Sequence, residues 1–177
     1  MTIVNKRAVL FHILLISGLA LGHPAAGNNA GSSEPKNSWR GIVPLQSSSE
    51  DVARVLGVEL DSPGGSSSGP YRVQGGEVTF YFLTPTLAKM YRAPHTMVGK
   101  VFTIYFKPGE PASKDDLKLP PLFKRCVEQM TTSTYYLVSD AGVAYQFHQG
   151  NDQLETIIYQ PSRAQVPSLT VNTECVF

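Results

Sequence analysis

Histidines are the first residues to consider for chemistry, because an imidazole can act as a general base or bind a metal ion. His12 and His23 lie near the start of the chain, which leaves His95 and His148 in the remainder. Asp140 lies in the same hairpin-like stretch as His148, and serines are plentiful, so a Ser-His-Asp arrangement stays open. No Gly-x-Ser-x-Gly motif or similar context identifies a nucleophile. We predict a loop position for His95, a solvent-facing strand position for His148 and no catalytic residue. The alternative is a small secreted hydrolase that uses one of them.

Motifs for metals and cofactors are equally weak. Asp115 and Asp116 lack the spacing of a calcium-binding loop. The glycine-rich stretch 61–70 has no strand before it, no helix after it and no Lys-Ser/Thr, all of which a phosphate-binding loop requires. The sequence therefore predicts no metal site and no cofactor.

Two cysteines, Cys126 and Cys175, are the complete set in the chain. They form neither a Cys-x-x-Cys redox pair nor a zinc ligand set. In an oxidising compartment the two cysteines are predicted to form one disulfide, which would tie the carboxy-terminal tail to the middle of the domain. Closing such a loop contributes roughly 3–4 kcal/mol to stability in the chain-entropy description. Two independent buried thiols are the alternative.

The beginning of the chain has the pattern of a signal peptide. Lys6 and Arg7 precede an apolar run over residues 8–21, and small residues follow. We predict a signal peptide over residues 1–22, with cleavage after Ala26 as the second choice, and an exported protein in the periplasm or outside the cell. An uncleaved membrane anchor is the competing interpretation. Residues 23–38 are rich in Gly, Asn and Ser and predict a flexible lead-in.

Charge and length restrict the class of partner and the number of domains. Without Lys6 and Arg7, the 15 basic residues become 13, against 14 acidic residues. A near-neutral chain argues against nucleic acid as the partner, because phosphates select a basic surface. The remaining length predicts a single domain over residues 39–177.

One short helix is predicted over residues 48–56. Ser47 or Ser48 can cap its first turn, Glu50 or Asp51 completes a capping box, and Gly57 suits a left-handed stop. One apolar stripe is expected from Val52, Val55 and Leu56. A helix this short is marginal in water by itself, so we expect its stripe to pack on a sheet.

After the helix, most of the chain has the alternation of β-strands. About six strands are predicted, over 71–74, 77–83, 100–107, 135–138, 143–148 and 154–159. The stretch 84–99 is expected to be irregular, because Pro85 and Pro94 break regular elements, and 61–70 to be a mobile loop. Over 110–134 no regular element is identified, and we expect a long connection that is pinned to the core by Leu117, Leu119, Leu122 and Phe123. The predicted fold is therefore α+β, with one short helix packed on an antiparallel sheet of about six strands as a helix-on-sheet sandwich.

Two of the predicted strands are apolar on both sides. Val78, Phe80 and Phe82 alternate with Thr79, Tyr81 and Leu83, and 101–106 shows the same pattern. This is typical of a central strand, or of a sheet whose second face is covered by a loop, a subunit or a partner. An outward row of Thr79, Tyr81 and Tyr105 is our candidate contact surface.

Several motifs carry a resemblance to known proteins. They are Trp39-x-Gly-Ile-Val-Pro-Leu-x-Ser, Asp51-Val-x-Arg-x-Leu-Gly57, Asp140-x-Gly-Val-x-Tyr145 and Ile157-Ile-Tyr-x-Pro161. With them the chain resembles an uncharacterised family of small exported bacterial proteins of acidobacterial type. That family has a further cysteine after the strand matching 78–83, and a Trp-Asn-Val-Pro segment where this chain has Tyr91-Arg-Ala-Pro94.

A more remote resemblance concerns the helix followed by a hairpin. This arrangement is similar to the SmpA/OmlA (BamE) outer-membrane assembly lipoproteins and to the β-lactamase-inhibitor-protein fold. The resemblance implies a domain that binds proteins and catalyses nothing, and it transfers no site residue. The expected function is a non-enzymatic exported domain that binds another protein or an envelope component. A purely structural envelope domain is a further alternative. Membrane contact is expected only through an uncleaved signal segment.

Overall fold

The computed structural model describes residues 36–60, 65–128, 134–166 and 173–176, without the side chains of 128 and 173–176. All of these residues belong to one compact unit, Ser32–Phe177. The predicted signal peptide over 1–22, its alternative cleavage site after 26 and the lead-in up to residue 35 lie outside the described residues.

The described chain folds around one antiparallel sheet of eight strands, in the spatial order β1-β2-β3-β7-β6-β5-β4-β8. The strands are β1 Ser67–Val73, β2 Gly76–Phe82, β3 Val101–Pro108, β4 Lys124–Glu128, β5 Thr134–Val138, β6 Val143–His148, β7 Leu154–Tyr159 and the short edge strand β8 Thr173–Val176. An antiparallel sheet with few helices is thus confirmed. The predicted number of about six strands is too low, because β4 and β8 were not predicted.

The sheet consists of two meanders that meet at its centre. Strands β1, β2 and β3 form the first, and β4, β5, β6 and β7 form the second. The two meanders are joined by their last strands, β3 and β7, which pair with each other, for example through Tyr105 and Ile158. The chain between them, residues 109–123, must therefore travel from the centre of the sheet to its far side.

The first helix, α1, spans Ser49–Leu56 and begins at the predicted cap. The Ser48 hydroxyl accepts a hydrogen bond from the Asp51 backbone N–H, and the Asp51 carboxylate accepts one from the Ser48 backbone N–H at 2.9 Å. This second hydrogen bond lowers the pKa of the Asp51 carboxyl group. Gly57 ends the helix with φ at 69°, a left-handed conformation that glycine adopts without strain.

The buried side of α1 differs from the predicted stripe. Val52 is fully buried, and Ala53 and Leu56 pack against the same cluster, whereas Val55 is 39% exposed. Successive helical residues turn by about 100°, so Val55 lies about 60° from Val52 on the side away from Ala53. The stripe therefore runs through Ala53, and Val55 does not belong to it.

A second helix, α2, spans Pro85–Met90 in a region that we expected to be irregular. Thr84 caps it, because the Thr84 hydroxyl accepts a hydrogen bond from the Leu87 backbone N–H at 3.2 Å. Pro85 occupies the first helical turn, where its missing N–H costs nothing and its fixed φ favours the helix. A short 3₁₀ helix follows at His95–Met97.

Three clusters of buried side chains hold these elements together. The first lies between α1 and the sheet and contains Trp39, Ile42, Val52, Leu60, Val78, Phe80, Phe82, Val101 and Ile104. The second joins α2 to the end of the β2–β3 pair through Leu45, Leu83, Ala88, Phe102 and Val166. The third contains Tyr135, Leu137, Phe147 and Leu154, covered by Leu117, Leu119 and Phe123 of the long connection. The 109–123 segment thus covers the inner face of the second meander, as α1 covers the inner face of the first.

Two further boundaries differ from the prediction. The loop predicted over 61–70 is shorter, since β1 already begins at Ser67; residues 61–64 lie outside the described part of the chain. Pro70 is tolerated there because β1 is an edge strand whose outer side needs no N–H donor. The short helix α3, Lys114–Leu117, begins at a Ser113–Asp116 capping box in the stretch where no regular element was predicted.

Candidate binding face

Strand register divides the sheet into two faces of different character. The inner face carries the side chains of the buried clusters, among them Val78, Phe80, Ile104, Phe106, Ile157, Tyr145, Phe147, Leu137 and Tyr135. Alternate residues form the outer face, which contains Thr79, Tyr81, Thr103, Tyr105, Ile158, Ala144, Gln146, Tyr136 and Cys126. The candidate site lies on the outer face.

The three residues of the predicted contact surface are neighbours on that face. Thr79 pairs directly with Tyr105, and Tyr81 pairs with Thr103 across β2 and β3. The rings of Tyr81 and Tyr105 meet edge to face, with centroids 5.3 Å apart and an interplanar angle of 67°. They remain 42% and 40% exposed. We call the four residues Thr79, Tyr81, Thr103 and Tyr105 the tyrosine patch.

Exposure is not uniform over the outer face. Ile158, the neighbour of Tyr105 in β7, is buried, and so are Ala144 in β6 and Cys126 in β4. Strand alternation does not predict this difference in exposure, because all these residues occupy outward positions in their strands. Among the described residues of the outer face, Tyr81 and Tyr105 of the β2–β3 pair are the exposed aromatic side chains, while Tyr136 of β5 is half-buried.

Charged residues border the tyrosine patch on one side. Glu77 lies directly opposite Lys107 in the β2–β3 register and opposite Arg72 in the β1–β2 register. The Arg72 Nε is 3.7 Å from a Glu77 carboxylate oxygen, and both side chains are exposed. An exposed pair of this kind contributes little to stability, so these charges remain available to a ligand.

A groove of about 530 Å³ continues from this border at the end of β3. Lys107, Glu110, His148, Asn151, Glu155 and Thr156 contribute to its wall. Lys107 follows Tyr105 by two residues in β3, so the two side chains leave the same face about 7 Å apart. We call this depression the polar groove.

His148 and His95 lie in different surroundings and are not brought together. His148 is exposed at the end of β6, and its Nδ1 accepts a hydrogen bond from the Gly150 backbone N–H at 3.1 Å. His95 is exposed at the start of the 3₁₀ helix. Among the described residues, neither imidazole has a carboxylate or a hydroxyl within hydrogen-bond distance.

Asp140, which the sequence analysis grouped with His148, lies at the other end of β6. Val143 and His148 are the two ends of β6, and the five residue steps between them correspond to about 17 Å. The Asp140 carboxylate instead lies 3.4 Å from the Lys124 Nζ and 3.8 Å from an Arg163 nitrogen. Asp140 and Arg163 line a depression of about 810 Å³, together with Lys36. The arrangement is an exposed ion network, without a nucleophile placed against the histidine.

A polar cluster around Tyr135 was not predicted. The Tyr135 hydroxyl donates a hydrogen bond to the Asp152 carboxylate at 2.7 Å, and the Arg125 guanidinium lies 4.4 Å from the ring centroid. Burial of the ring and the hydrogen bond to Asp152 raise the pKa of Tyr135 to about 12. Burial also raises the pKa of Tyr159 to about 12. The cluster fastens the β6–β7 turn to β5.

The described residues contain neither a metal-binding cluster nor a membrane-spanning helix. Across residues 36–60, 65–128, 134–166 and 173–176, no three His, Cys, Asp or Glu side chains are grouped to hold a metal ion. No helix in these ranges has the length and apolar character required to cross a bilayer.

The two cysteines lie on adjacent strands. Cys126 in β4 is fully buried and stands directly opposite Cys175 in β8. The side chain of Cys175 lies outside the described residues, so the disulfide stays a prediction that the strand register supports.

Comparisons with protein-family models, with curated proteins and with solved structures gave no match to this chain. The resemblance to a family of small exported bacterial proteins therefore stays a prediction.

Proposed function

We propose that the protein is a non-enzymatic exported domain that binds another protein or a component of the cell envelope through its tyrosine patch. The single observation that carries the proposal is the pair of contacting tyrosine rings, Tyr81 near the end of β2 and Tyr105 near the middle of β3, each about two-fifths exposed. Export is supported by the signal-peptide pattern over residues 1–22.

Tyrosine suits such a contact for two physical reasons. Its ring brings a large, rigid, amphipathic area to an interface while few rotatable bonds are immobilised. Tyrosine is also enriched among the residues that dominate binding energy. In this protein the edge-to-face contact holds Tyr81 and Tyr105 against each other, which reduces the entropy that binding would cost.

The sheet beneath the patch provides a rigid support. Val78, Phe80 and Ile104, the residues next to the patch on β2 and β3, are fully buried on the inner face. Their packing against Trp39 and α1 fixes the two strands that display the tyrosines. A site built on packed strands keeps its geometry better than one built on loops.

The secreted hydrolase remains the second candidate by sequence, but no observation favours it. A hydrolase of the predicted kind needs a histidine within hydrogen-bond reach of a carboxylate and a nucleophile. Among the described residues, the His148 imidazole accepts a hydrogen bond from the Gly150 backbone N–H, and neither histidine contacts a carboxylate or a hydroxyl group. A purely structural envelope domain would leave the exposed tyrosines without a role.

Site-specific photo-crosslinking tests the proposal. A photoreactive phenylalanine derivative replaces Tyr81 or Tyr105 in the full chain, because it keeps an aromatic ring at the site. The control position is Met90, which is 63% exposed on α2. In the native cells we expect a discrete adduct from positions 81 and 105 and none from position 90. Equal labelling at all three positions, or no adduct at 81 and 105, would contradict the proposal.

A further inference from the structure

The polar groove and the tyrosine patch form one continuous strip on the outer face. Tyr105 and Lys107 project from the same side of β3, and Thr156 of the groove follows the same alternation as Ile158, which pairs with Tyr105. We propose that this strip binds a carbohydrate chain, with the tyrosines against the sugar rings and the groove around the sugar hydroxyls. The inference rests on the proposed function and names the class of ligand.

The groove combines hydrogen-bond donors with hydrogen-bond acceptors. Ionised Glu110 and Glu155 can only accept, whereas the Lys107 ammonium can only donate. None of these three side chains has an ion-pair or hydrogen-bond partner among the described residues. A sugar hydroxyl both donates and accepts, so neighbouring hydroxyls on one ring can satisfy a carboxylate and an ammonium together.

His148 adds a donor of fixed identity to the groove wall. Its Nδ1 accepts the Gly150 N–H, so in the neutral ring the proton is carried by Nε2. Nε2–H is therefore the group that the imidazole can offer to a ligand oxygen. A hydroxyl or a ring oxygen of a sugar is a suitable acceptor.

The tyrosine patch matches the other side of a sugar. A pyranose ring presents C–H groups on its face and hydroxyls at its edge, so the face is apolar and the edge is polar. Tyr81 and Tyr105 offer exposed rings with a hydroxyl at the tip, and Thr79 and Thr103 lie between them. About 7 Å along β3 separate this apolar contact from Lys107, so successive sugars of one chain can reach both.

A peptide is the competing ligand, and the position of the groove makes it less suitable. Peptides bind sheets by adding a strand to an edge, where the main chain supplies the hydrogen bonds. The groove lies at the ends of β3 and β7, which are interior strands. The nearest edge strand, β1, contains Pro70, which has no N–H to donate, and an irregularity between Ser68 and Tyr71.

Titration of the mature protein with sugars tests the inference. Chitotetraose, cellotetraose and maltotetraose serve as probes, and NMR follows the tyrosine ring protons and the His148 imidazole. We expect at least one probe to shift the signals of Tyr81, Tyr105 and His148 together. Tyr105→Ala and Glu155→Gln should each weaken that binding about tenfold, whereas Met90→Ala and Asp115→Asn, which lie outside the strip, should leave it unchanged.

The outcomes separate this inference from the proposed function. If no sugar shifts these signals, or if the control variants weaken binding as much as Glu155→Gln does, carbohydrate binding is wrong. A protein adduct at positions 81 and 105 would then still support the proposed function. If a strip-specific peptide ligand is found while all three sugars fail, the peptide replaces the sugar as the ligand. If no sugar binds and no crosslinked adduct forms at positions 81 and 105, both carbohydrate binding and the proposed function are wrong.

Discussion

At the scale of single residues, Tyr135 shows how a position in the sheet decides the chemistry of a side chain. The sequence placed it in a strand but gave no sign that Asp152, in the turn between β6 and β7, would accept its hydrogen bond. The partner is 17 residues away along the chain, and only the strand register brings the two together. The strand itself was predictable from alternation, whereas this contact was not.

The raised pKa of Tyr135 predicts a specific behaviour in alkali. Its folded pKa of about 12 lies above the unfolded value of about 10, so the protonated phenol is favoured by folding. The stability that depends on it is fully present below pH 10 and is lost as the pH rises towards 12. Tyr135→Phe should remove one late-ionising tyrosine from an ultraviolet titration. It should also reduce the loss of stability against urea that occurs as the pH rises from 10 to 12.

Asp152→Ala provides the second variant for this test. Burial is the larger cause of the shift, so the pKa of Tyr135 in this variant should lie below 12 but above 10. If the Tyr135→Phe protein has as many late-ionising tyrosines as the unchanged protein, another tyrosine accounts for the signal.

At the scale of the elements, α1 shows which features of a helix can be predicted from capping rules and periodicity and which cannot. Both ends were predictable, because Ser48, Asp51 and Gly57 are local signals that act on the backbone. The buried side was predicted only in part. Val55 and Ala53 flank Val52 on opposite sides of the helix. Ala53 packs against sheet residues that are distant in the sequence, so helical periodicity alone could not identify it as the buried neighbour.

The two valines of α1 make a matched pair of variants. Val52→Ala removes two methyl groups from a fully buried site and should lower the free energy of unfolding by about 2 kcal/mol. Val55→Ala makes the same change at an exposed site and should alter it by less than about 0.5 kcal/mol. Trp39 is the single tryptophan and packs on Phe80 in the same cluster, so its fluorescence follows unfolding. Equal losses in both variants would mean that α1 does not pack through Val52.

The elements missed by prediction have physical reasons that can be named. Pro85 was interpreted as a breaker, although proline is favoured in the first turn after a cap such as Thr84. Strand β4 carries Lys124, Arg125 and Glu128 within five residues, so it lacks an apolar alternation. Short strands of this kind form because neighbouring strands pair with them, and this pairing cannot be recognised from the local sequence.

At the scale of the whole molecule, the main unpredicted feature is the pairing of β3 with β7. Six of the strands could be located from alternation, but their order could not, because it depends on a connection that crosses the sheet. The connection was expected to be pinned to the core by four residues, of which Leu117, Leu119 and Phe123 pack against the cluster around Tyr135 and Phe147, whereas Leu122 is 39% exposed. The tyrosine patch was predictable as a row of outward residues. Its limits were not, because the burial of Ile158 depends on the tertiary structure.

The strand register at the far edge of the sheet supports the predicted disulfide. Directly opposed residues in antiparallel strands have Cα atoms about 4.5–5.5 Å apart, which is within the range that a disulfide can bridge. Cys126 and Cys175 occupy such a pair, and β8 has only four residues to hold it against β4. In protein purified from an oxidising compartment, we expect no thiol to react with an alkylating agent after unfolding without a reductant.

Removing the bridge should then release the edge strand. Cys175→Ala should lower the free energy of unfolding by roughly 3–4 kcal/mol, because the closed loop no longer restricts the unfolded chain. Hydrogen exchange should accelerate in β4 and β8, while the amides of β2 and β3 stay protected, since they lie at the opposite side of the sheet. Cys126→Ala in the same background should add only the cost of a small cavity, because the bond is already lost. Two reactive thiols in the untreated protein would show that this edge is held by strand pairing alone.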